Sequence, residues 1–258
     1  MNIKTSSITA NLSYADVCLQ ASNSDDVFNK FKNIPEYQEA LEHVTIEQGA
    51  TYIDIINRDN SFLLQSPNID KFKTNDLYGT PKICEYGNLH ISPSTLRYIK
   101  VLSDLIKLFG NLNDFKIAEI GGGYGGQCKI ITDYFNVKDY HIVDLYEVNG
   151  LTEKYLNKLN VKNVRISTYD KLSVENYDLV ISNYAYTELD RPLQDVYKNK
   201  IIDQSKRGYI TCNFVTHCFE WSSKFTSYSK DELVNLKNNT SIISEEPLTS
   251  DKNFILIW

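Results

Sequence analysis

Glycine is concentrated in one short stretch of the chain. Five of the six residues in 121–126 are glycines, and they lie between two apolar runs, residues 116–120 and 127–131. Because glycine lacks a side chain, its backbone can turn sharply and a ligand can approach it within van der Waals contact. A tight turn between a strand and a helix needs fewer glycines than five. The stretch is therefore predicted to bind a ligand.

Two kinds of ligand fit this loop. Gly121, Gly123 and Gly126 match the dinucleotide fingerprint G-x-G-x-x-G, and Asp144 stands 23 residues after Gly121, where an acid for ribose hydroxyls belongs. However, Glu119 lies directly before the loop, at the end of the first predicted strand. A carboxylate there would repel a pyrophosphate but attract a cationic group. Charge therefore disfavours a dinucleotide.

The loop and the strand before it resemble the first-strand motif of class I methyltransferases that use S-adenosyl-L-methionine. The motif alternates an apolar residue, an acid and glycines, here Ile117, Glu119, Gly121, Gly123 and Gly125. The resemblance implies S-adenosylmethionine as the cofactor. It also implies that Glu119 holds the cationic end of the methionine part, directly or through water.

The same resemblance implies the other cofactor contacts. The two oxygens of Asp144, at the end of the second strand, would accept hydrogen bonds from both ribose hydroxyls; a helix cap is the alternative role. Tyr169 and Asp170 follow the third strand, where this family contacts adenine. Arg97 would neutralise the cofactor carboxylate or else be an ordinary solvated arginine. The full predicted set is Arg97, Glu119, Gly121, Gly123, Gly125, Gln127, Asp144, Leu145, Tyr169, Asp170 and Asn183.

A narrower resemblance involves four phrases taken together. "ISPSTLRYIKVLSDL", "EIGGGYGGQ", "IVDLYEV" and "SNYAYTELD" are similar to phrases of the bacterial and viral proteins described as sugar O-methyltransferases. The resemblance implies a carbohydrate substrate, either a glycan or a nucleotide sugar. Many members carry proline after the Asp-Leu of the second strand, whereas Tyr146 stands there in this chain. We expect this difference to alter the loop beside the adenosine.

Methyl transfer to a hydroxyl is an in-line displacement, and a sugar hydroxyl is a weak nucleophile that needs a general base or a metal ion. Tyr184 and Glu188 follow the fourth strand and converge on one side whether the segment is helical or extended. His217, after the fifth strand, is a second candidate base. We predict Tyr184, Glu188 and His217 as the catalytic set, with His90 as a further candidate. Packing or surface roles remain open for each of them.

These residues must be positioned by a sheet. From residue 116 onward, short apolar strands alternate with helical patterns, which predicts a parallel sheet covered on both faces. Seven strands can be counted, and only a short turn containing Ser250 and Asp251 separates the last two, so the last strand must run antiparallel. We predict an α/β, Rossmann-like class I methyltransferase fold for residues 92–258. Residues 1–91 are predicted to form an N-terminal helical cap that contributes to substrate binding.

The composition excludes several functions. The formal net charge of −6 disfavours binding to nucleic acid, and no run approaches the roughly 20 apolar residues of a membrane helix. We see no secretory signal and expect a cytoplasmic protein with five reduced cysteines.

His43 and His141 are predicted to be structural. No metal-binding motif occurs, but magnesium held by scattered carboxylates remains open, as does the oligomeric state.

Three other functions remain open. "Asn183-Tyr184" distantly resembles the Asn-Pro-Pro-Tyr of methyltransferases that act on amino groups of bases, although the prolines are missing. A dehydrogenase would use the dinucleotide interpretation of the loop. A non-catalytic methyltransferase-like module would bind a partner protein through its N-terminal helices.

Overall fold

The computed structural model describes residues 13–214 and 226–258. The N-terminal part is mainly helical. Its helices are α1 (Tyr14–Asn23), α2 (Asp25–Phe28), α3 (Pro35–Ala40), α4 (Ile46–Asn60) and α5 (Asn68–Phe72). It also contains a hairpin that was not predicted, β1 (Cys84–Tyr86) and β2 (Leu89–Ile91). Strands of three residues are too short to show alternation, and Gly87 forms the turn at φ +61°.

Helix α6 (Pro93–Phe109) is bounded by a capping serine and a glycine. The Ser92 hydroxyl accepts a hydrogen bond from the Thr95 amide, Pro93 occupies the first turn, and Gly110 ends the helix at φ +72°. Most of the helix is buried, including Leu96, Ile99 and Leu102. The helix therefore packs between the N-terminal part and the sheet.

The rest of the chain alternates strands and helices. Its elements are β3 (Lys116–Ile120), α7 (Gly126–Tyr134), β4 (Asp139–Val143), α8 (Tyr146–Lys158), β5 (Val164–Ser167), β6 (Leu179–Asn183), α9 (Arg191–Tyr197), β7 (Gly208–Cys212), α10 (Lys230–Leu233), β8 (Ser241–Ile243) and β9 (Phe254–Ile257). A single π-helical turn, Lys198–Ile202, continues α9. All seven predicted strands are present.

The seven strands form one sheet in the order β5-β4-β3-β6-β7-β9-β8. Strands β3 to β7 pair in parallel, and β9 is antiparallel to both of its neighbours. This confirms the predicted Rossmann-like methyltransferase fold with an antiparallel last strand. The β8–β9 connection, residues 244–253, is longer than the short turn containing Ser250 and Asp251 that the sequence predicts.

Two hydrophobic clusters lie on opposite faces of the sheet. Ile117 belongs to one cluster and Ala118 to the other, because successive side chains of a strand point to opposite faces. Tyr14 and Phe31 from the N-terminal part pack in the same cluster as Ile117. Residues on both sides of the predicted 91/92 boundary therefore share one core. Within the described ranges, no helix is both long and apolar enough to cross a membrane.

Candidate active site

A cavity of about 680 Å³ opens at the carboxyl ends of the parallel strands. Its floor contains the glycine loop and the residues that follow β4 and β6. Strands β4 and β6 flank β3 on opposite sides, and the chain runs from β3 to β4 in one direction across the sheet and from β6 to β7 in the other. Such a switch point is where open α/β sheets bind ligands. Residues from α3, α4, α6 and the β8–β9 connection form the remaining walls.

Two glycines are required where the loop lines the cavity. Gly121 has φ +75°, and a Cβ atom there would lie 2.1 Å from the Cβ of Ala185. Gly123 has φ +55°, and a Cβ atom there would lie 2.9 Å from Cδ1 of Leu41. Both the backbone conformation and the close approach of neighbours therefore exclude side chains.

Asp144 joins the loop to the end of β4. Its Oδ2 accepts a hydrogen bond of 2.9 Å from the Gly123 amide, and its Oδ1 accepts one of 2.7 Å from the Leu145 amide. Burial raises the pKa of this carboxyl to about 6, although the two amides act in the opposite direction. Each oxygen has a further lone pair, so the carboxylate can still accept hydrogen bonds from a ligand in the cavity.

Glu119 lies at the bottom of the cavity and is 2% exposed. The hydroxyl of Tyr140 donates a hydrogen bond of 2.9 Å to its Oε2. Burial, and to a lesser extent the charge of Asp144, raises the pKa of Glu119 to about 8. A ligand cation beside it would stabilise the ionised form.

Asn183 ends β6 and also lines the cavity. Its Oδ1 is buried, and the described residues offer it no hydrogen-bond donor. A buried acceptor without a partner costs free energy. A donor group on a bound ligand would satisfy it, which fits the predicted role of Asn183 in cofactor binding.

The structure brings most of the predicted cofactor residues together. Those that line the cavity are Arg97, Glu119, Gly121, Gly123, Asp144, Leu145, Tyr169 and Asn183. Arg97 projects from α6, and its Nη2 donates a hydrogen bond of 3.2 Å to the Leu41 carbonyl. Among the described residues, no carboxylate forms an ion pair with this guanidinium, so it is available to an anionic group of a ligand.

Three predicted cofactor residues lie outside the cavity lining. Gly125 precedes α7 in a left-handed conformation and faces Leu156. Gln127 is buried, and its amide donates to the Tyr98 carbonyl at 3.2 Å. The carboxylate of Asp170 is half exposed and bonds to the Thr168 hydroxyl. Direct contact of these three residues with a cofactor is not supported by their positions.

Tyr184 has a positive φ of 68° directly after β6. Its hydroxyl donates a hydrogen bond to the buried carboxylate of Glu245, which also accepts one of 3.0 Å from the Thr249 amide. The hydroxyl is therefore engaged within the protein. The pair links the end of β6 to the β8–β9 connection across the cavity.

Glu188 lines the same end of the cavity as Tyr184. The Nδ2 of Asn213 donates a hydrogen bond of 2.7 Å to its Oε1, and the Oδ1 of Asn213 accepts one of 2.8 Å from the Thr187 hydroxyl. Burial raises the pKa of Glu188 to about 7. A carboxylate with this pKa is suited to accept a proton near neutral pH.

The histidines differ from expectation in two cases. His90 lies on β2, exposed beside Glu85 and outside the cavity, so a catalytic role there has no geometric support. His43, predicted to be structural, lines the cavity. His141 is structural as predicted, with ring nitrogens 2.8 Å from the Tyr177 hydroxyl and 2.7 Å from the Ser167 hydroxyl. His217 lies outside the described residues.

Several cavity residues were not predicted from the sequence. Tyr52 on α4, Asn213 after β7, and Glu245 and Thr249 between β8 and β9 all line it. They come from three separate parts of the chain, and no local pattern marks them. The one available signal was the general expectation that the N-terminal cap contributes to the site.

Within the described ranges, no group of three or more His, Cys, Asp or Glu side chains is arranged to hold a metal ion. The cysteines in those ranges, Cys18, Cys84, Cys128 and Cys212, are buried free thiols.

No protein-family model and no curated protein sequence matches this chain. Among solved structures, phosphoethanolamine N-methyltransferase 2 from Haemonchus contortus is 11% identical with a TM-score of 0.47, over 76% of this chain and 46% of that one. A SAM-dependent methyltransferase from Aquifex aeolicus is 17% identical with a TM-score of 0.43, over 60% and 86%. A Galdieria sulphuraria protein described as a sarcosine dimethylglycine methyltransferase is 20% identical with a TM-score of 0.40, over 46% and 48%.

This chain thus spans about half the length of the Haemonchus and Galdieria chains. The activities and substrates in these names are those of the other proteins. Identities this low do not assign a family, so the function of this chain has to be inferred from the residues of its cavity.

Proposed function

We propose that this chain is an S-adenosylmethionine-dependent methyltransferase that methylates a hydroxyl of a sugar. The observation that carries the proposal is the meeting of Glu119, the loop at Gly121 and Gly123, and Asp144 in one cavity at the switch point of the sheet. A methyl sulfonium cofactor with an ammonium group, a carboxylate and a ribose has chemical partners there. The cofactor would supply an electrophilic methyl group.

Each part of the cofactor has a residue of suitable chemistry. The carboxylate of Glu119 would hold the ammonium, and the guanidinium of Arg97 would pair with the carboxylate. Asp144 would accept hydrogen bonds from the ribose hydroxyls while it keeps the Gly123 amide in place. The buried Oδ1 of Asn183 would accept a further hydrogen bond. Tyr169 lies at the edge where adenine is expected.

The acceptor would enter from the side formed by α4 and the β8–β9 connection. Tyr52 offers an aromatic surface, and Asn213, Thr249 and Asn253 offer polar groups, a combination suited to a sugar ring. Glu188 would accept the proton of the reacting hydroxyl, because its Oε1 is held by Asn213 while its second oxygen has no hydrogen-bond partner among the described residues. Tyr184 would shape this wall through its bond to Glu245.

An amine acceptor is the second candidate. Glu188 and the buried Glu245 place two carboxylates at the acceptor end of the cavity, and carboxylates can hold an ammonium group as well as deprotonate a hydroxyl. The two candidates differ in the atom that is methylated, which a product analysis identifies directly.

The test is transfer of a labelled methyl group from S-adenosylmethionine to a panel of free sugars, nucleotide sugars, glycans and amines. We expect labelled methyl ethers of a sugar. Labelled amines would favour the second candidate, and transfer to no acceptor despite S-adenosylhomocysteine binding would favour a non-catalytic binding module. Tighter binding of NAD than of S-adenosylhomocysteine, measured by calorimetry, would contradict the cofactor assignment.

A further inference from the structure

One residue of the glycine loop is not glycine, and it is fully buried. The ring of Tyr124 points away from the cavity into the core shared with the N-terminal part, and its exposed fraction is 0%. Its hydroxyl accepts a hydrogen bond of 3.0 Å from Nδ2 of Asn75. The ring of Tyr155 meets it edge-on at a centroid distance of 4.8 Å. The back of the loop is therefore anchored while its front, at Gly121 and Gly123, lines the cavity.

A buried ammonium group lies over the face of this ring. Lys32 is 1% exposed, and its Nζ is 4.1 Å from the ring centroid of Tyr124. The rings of Tyr155 and Phe31 are 5.3 and 5.8 Å from the same nitrogen. Its one hydrogen bond among the described residues goes to the Asn75 carbonyl, at 2.8 Å.

This ammonium has no carboxylate in ion-pair contact among the described residues. A buried charge without such a partner is normally destabilising, unless other groups compensate for its lost hydration. The aromatic faces provide this compensation, because a desolvated cation is attracted by the quadrupole of the ring. Burial still lowers the pKa of Lys32 below its usual value, with Glu42 and Asp76 acting in the opposite direction.

The position of Tyr124 controls the backbone that faces the cavity. Its neighbours Gly123 and Gly125 have φ angles of +55° and +92°, so the loop has no stiff residue other than Tyr124. The Gly123 amide donates to Asp144, and its carbonyl accepts a hydrogen bond of 2.6 Å from the Thr152 hydroxyl. A shift of the Tyr124 ring would therefore move the loop amide and the carboxylate together.

We infer that Lys32, held against Tyr124, is a positioning residue that keeps the glycine loop in its ligand-binding conformation. The inference assigns a function to the N-terminal part of the chain beyond contact with the acceptor. It rests on the proposed function in so far as the ligand of the loop is S-adenosylmethionine.

The test compares Lys32→Met with Lys30→Met, an exposed lysine two residues earlier that serves as the matched control. Removal of a buried charge often leaves stability unchanged or raises it, so we expect the melting temperature of Lys32→Met not to fall. We expect its Kd for S-adenosylhomocysteine, measured by calorimetry, to rise on the order of 10-fold, about 1.4 kcal/mol. Lys30→Met should bind like the parent protein.

A second variant and a second measurement separate positioning from folding. Tyr124→Leu should weaken binding by a similar factor, and the double variant should lose little more, since both changes remove the same contact. Without any ligand, hydrogen exchange should become faster for amides of residues 121–126 in Lys32→Met, while β3 keeps its protection.

The inference is wrong if folded Lys32→Met or Tyr124→Leu binds S-adenosylhomocysteine as tightly as the parent protein does and if its loop amides also exchange hydrogen at the parent rate. Faster exchange throughout β3 would also contradict it, because this would indicate a general loss of stability. If the parent itself binds no S-adenosylhomocysteine, the proposed function fails, and the exchange of the loop alone decides the role of Lys32.

Discussion

The carboxylate of Asp144 connects the glycine loop to the end of β4 and at the same time faces the cavity. Asp144→Ala should remove two charge-assisted hydrogen bonds to the ribose, each contributing roughly 1.5–3 kcal/mol. We therefore expect the affinity for S-adenosylhomocysteine, measured by calorimetry, to fall by about 10²-fold or more. Asp170→Ala is the matched control, because Asp170 lies outside the cavity. Equal losses in the two variants, or none in folded Asp144→Ala, would contradict the assignment.

Glu188 is the residue whose pKa best suits the proposed proton transfer. Its pKa of about 7 means that the ionised form, the one able to accept a proton, becomes the major form as the pH rises through 7. We expect kcat of the parent to increase with pH across this range and then level off. Glu188→Gln should lower kcat by ~10²–10⁴-fold, abolish this pH dependence and leave cofactor affinity nearly unchanged.

The control for this variant is Glu85→Gln on β1, where the side chain is 80% exposed and lies outside the cavity. An unchanged kcat and pH profile in Glu188→Gln would show that another group is the base. His217 would then be the remaining candidate of the predicted set. Loss of activity on addition of a chelator, restored by magnesium, would instead indicate a metal ion.

At the scale of elements, the turn from β3 into α7 depends on the missing side chain of Gly121. Gly121→Ala places a methyl group 2.1 Å from the Cβ of Ala185, whereas Gly87→Ala in the β1–β2 hairpin meets no atom within 4 Å. Both glycines have positive φ, so Gly87→Ala should show the backbone cost alone, roughly 1–2 kcal/mol. Overpacking should add about 1–3 kcal/mol in Gly121→Ala, and chemical denaturation measures both.

A rescue variant isolates the contact itself. Gly121→Ala combined with Ala185→Gly should recover the part of the stability that overpacking removed, and with it the affinity for S-adenosylhomocysteine. Equal destabilisation by Gly121→Ala and Gly87→Ala would mean that the turn tolerates the methyl group. The fit between the loop and the end of β6 would then not explain the glycine at position 121.

At the scale of the molecule, the N-terminal part and the sheet share one hydrophobic cluster. Phe31 and Tyr37 are fully buried in this cluster. Asn75 reaches the glycine loop through its hydrogen bond to Tyr124, and Lys32 through its contact with the ring of the same tyrosine. A cap that packs in this way can hold the site together as well as cover it. The division of the chain at residues 91/92 remains a prediction, and the shared core suggests that the two parts stabilise each other.

Much of the fold could be predicted because it follows from local patterns. Runs such as 116–120 and 139–143 are short, apolar and bounded by turn residues, so each strand is marked by its own sequence. The connection before β9 is too short for a crossover and therefore requires an antiparallel pair. Glycines in 121–126 and the acids Glu119 and Asp144 lie at strand ends, so the cofactor side of the cavity could be predicted as well. The residues 84–91 gave no such signal, because their strands are too short.

The remainder of the site was decided by tertiary structure. Glu245 meets Tyr184, and Lys32 meets Tyr124, across separations of 61 and 92 residues that no local periodicity can encode. Conversely, Gln127 follows β3 and Asp170 follows β5, as the predicted cofactor contacts require, but neither side chain lines the cavity. Gln127 is buried in the core, and Asp170 is half exposed to solvent. Strand order places the ends of elements, whereas the direction of each side chain depends on the packing of its neighbours. The sequence by itself therefore determined the sheet and its ligand-binding edge, and only the packing of distant elements decided which side chains face the cavity.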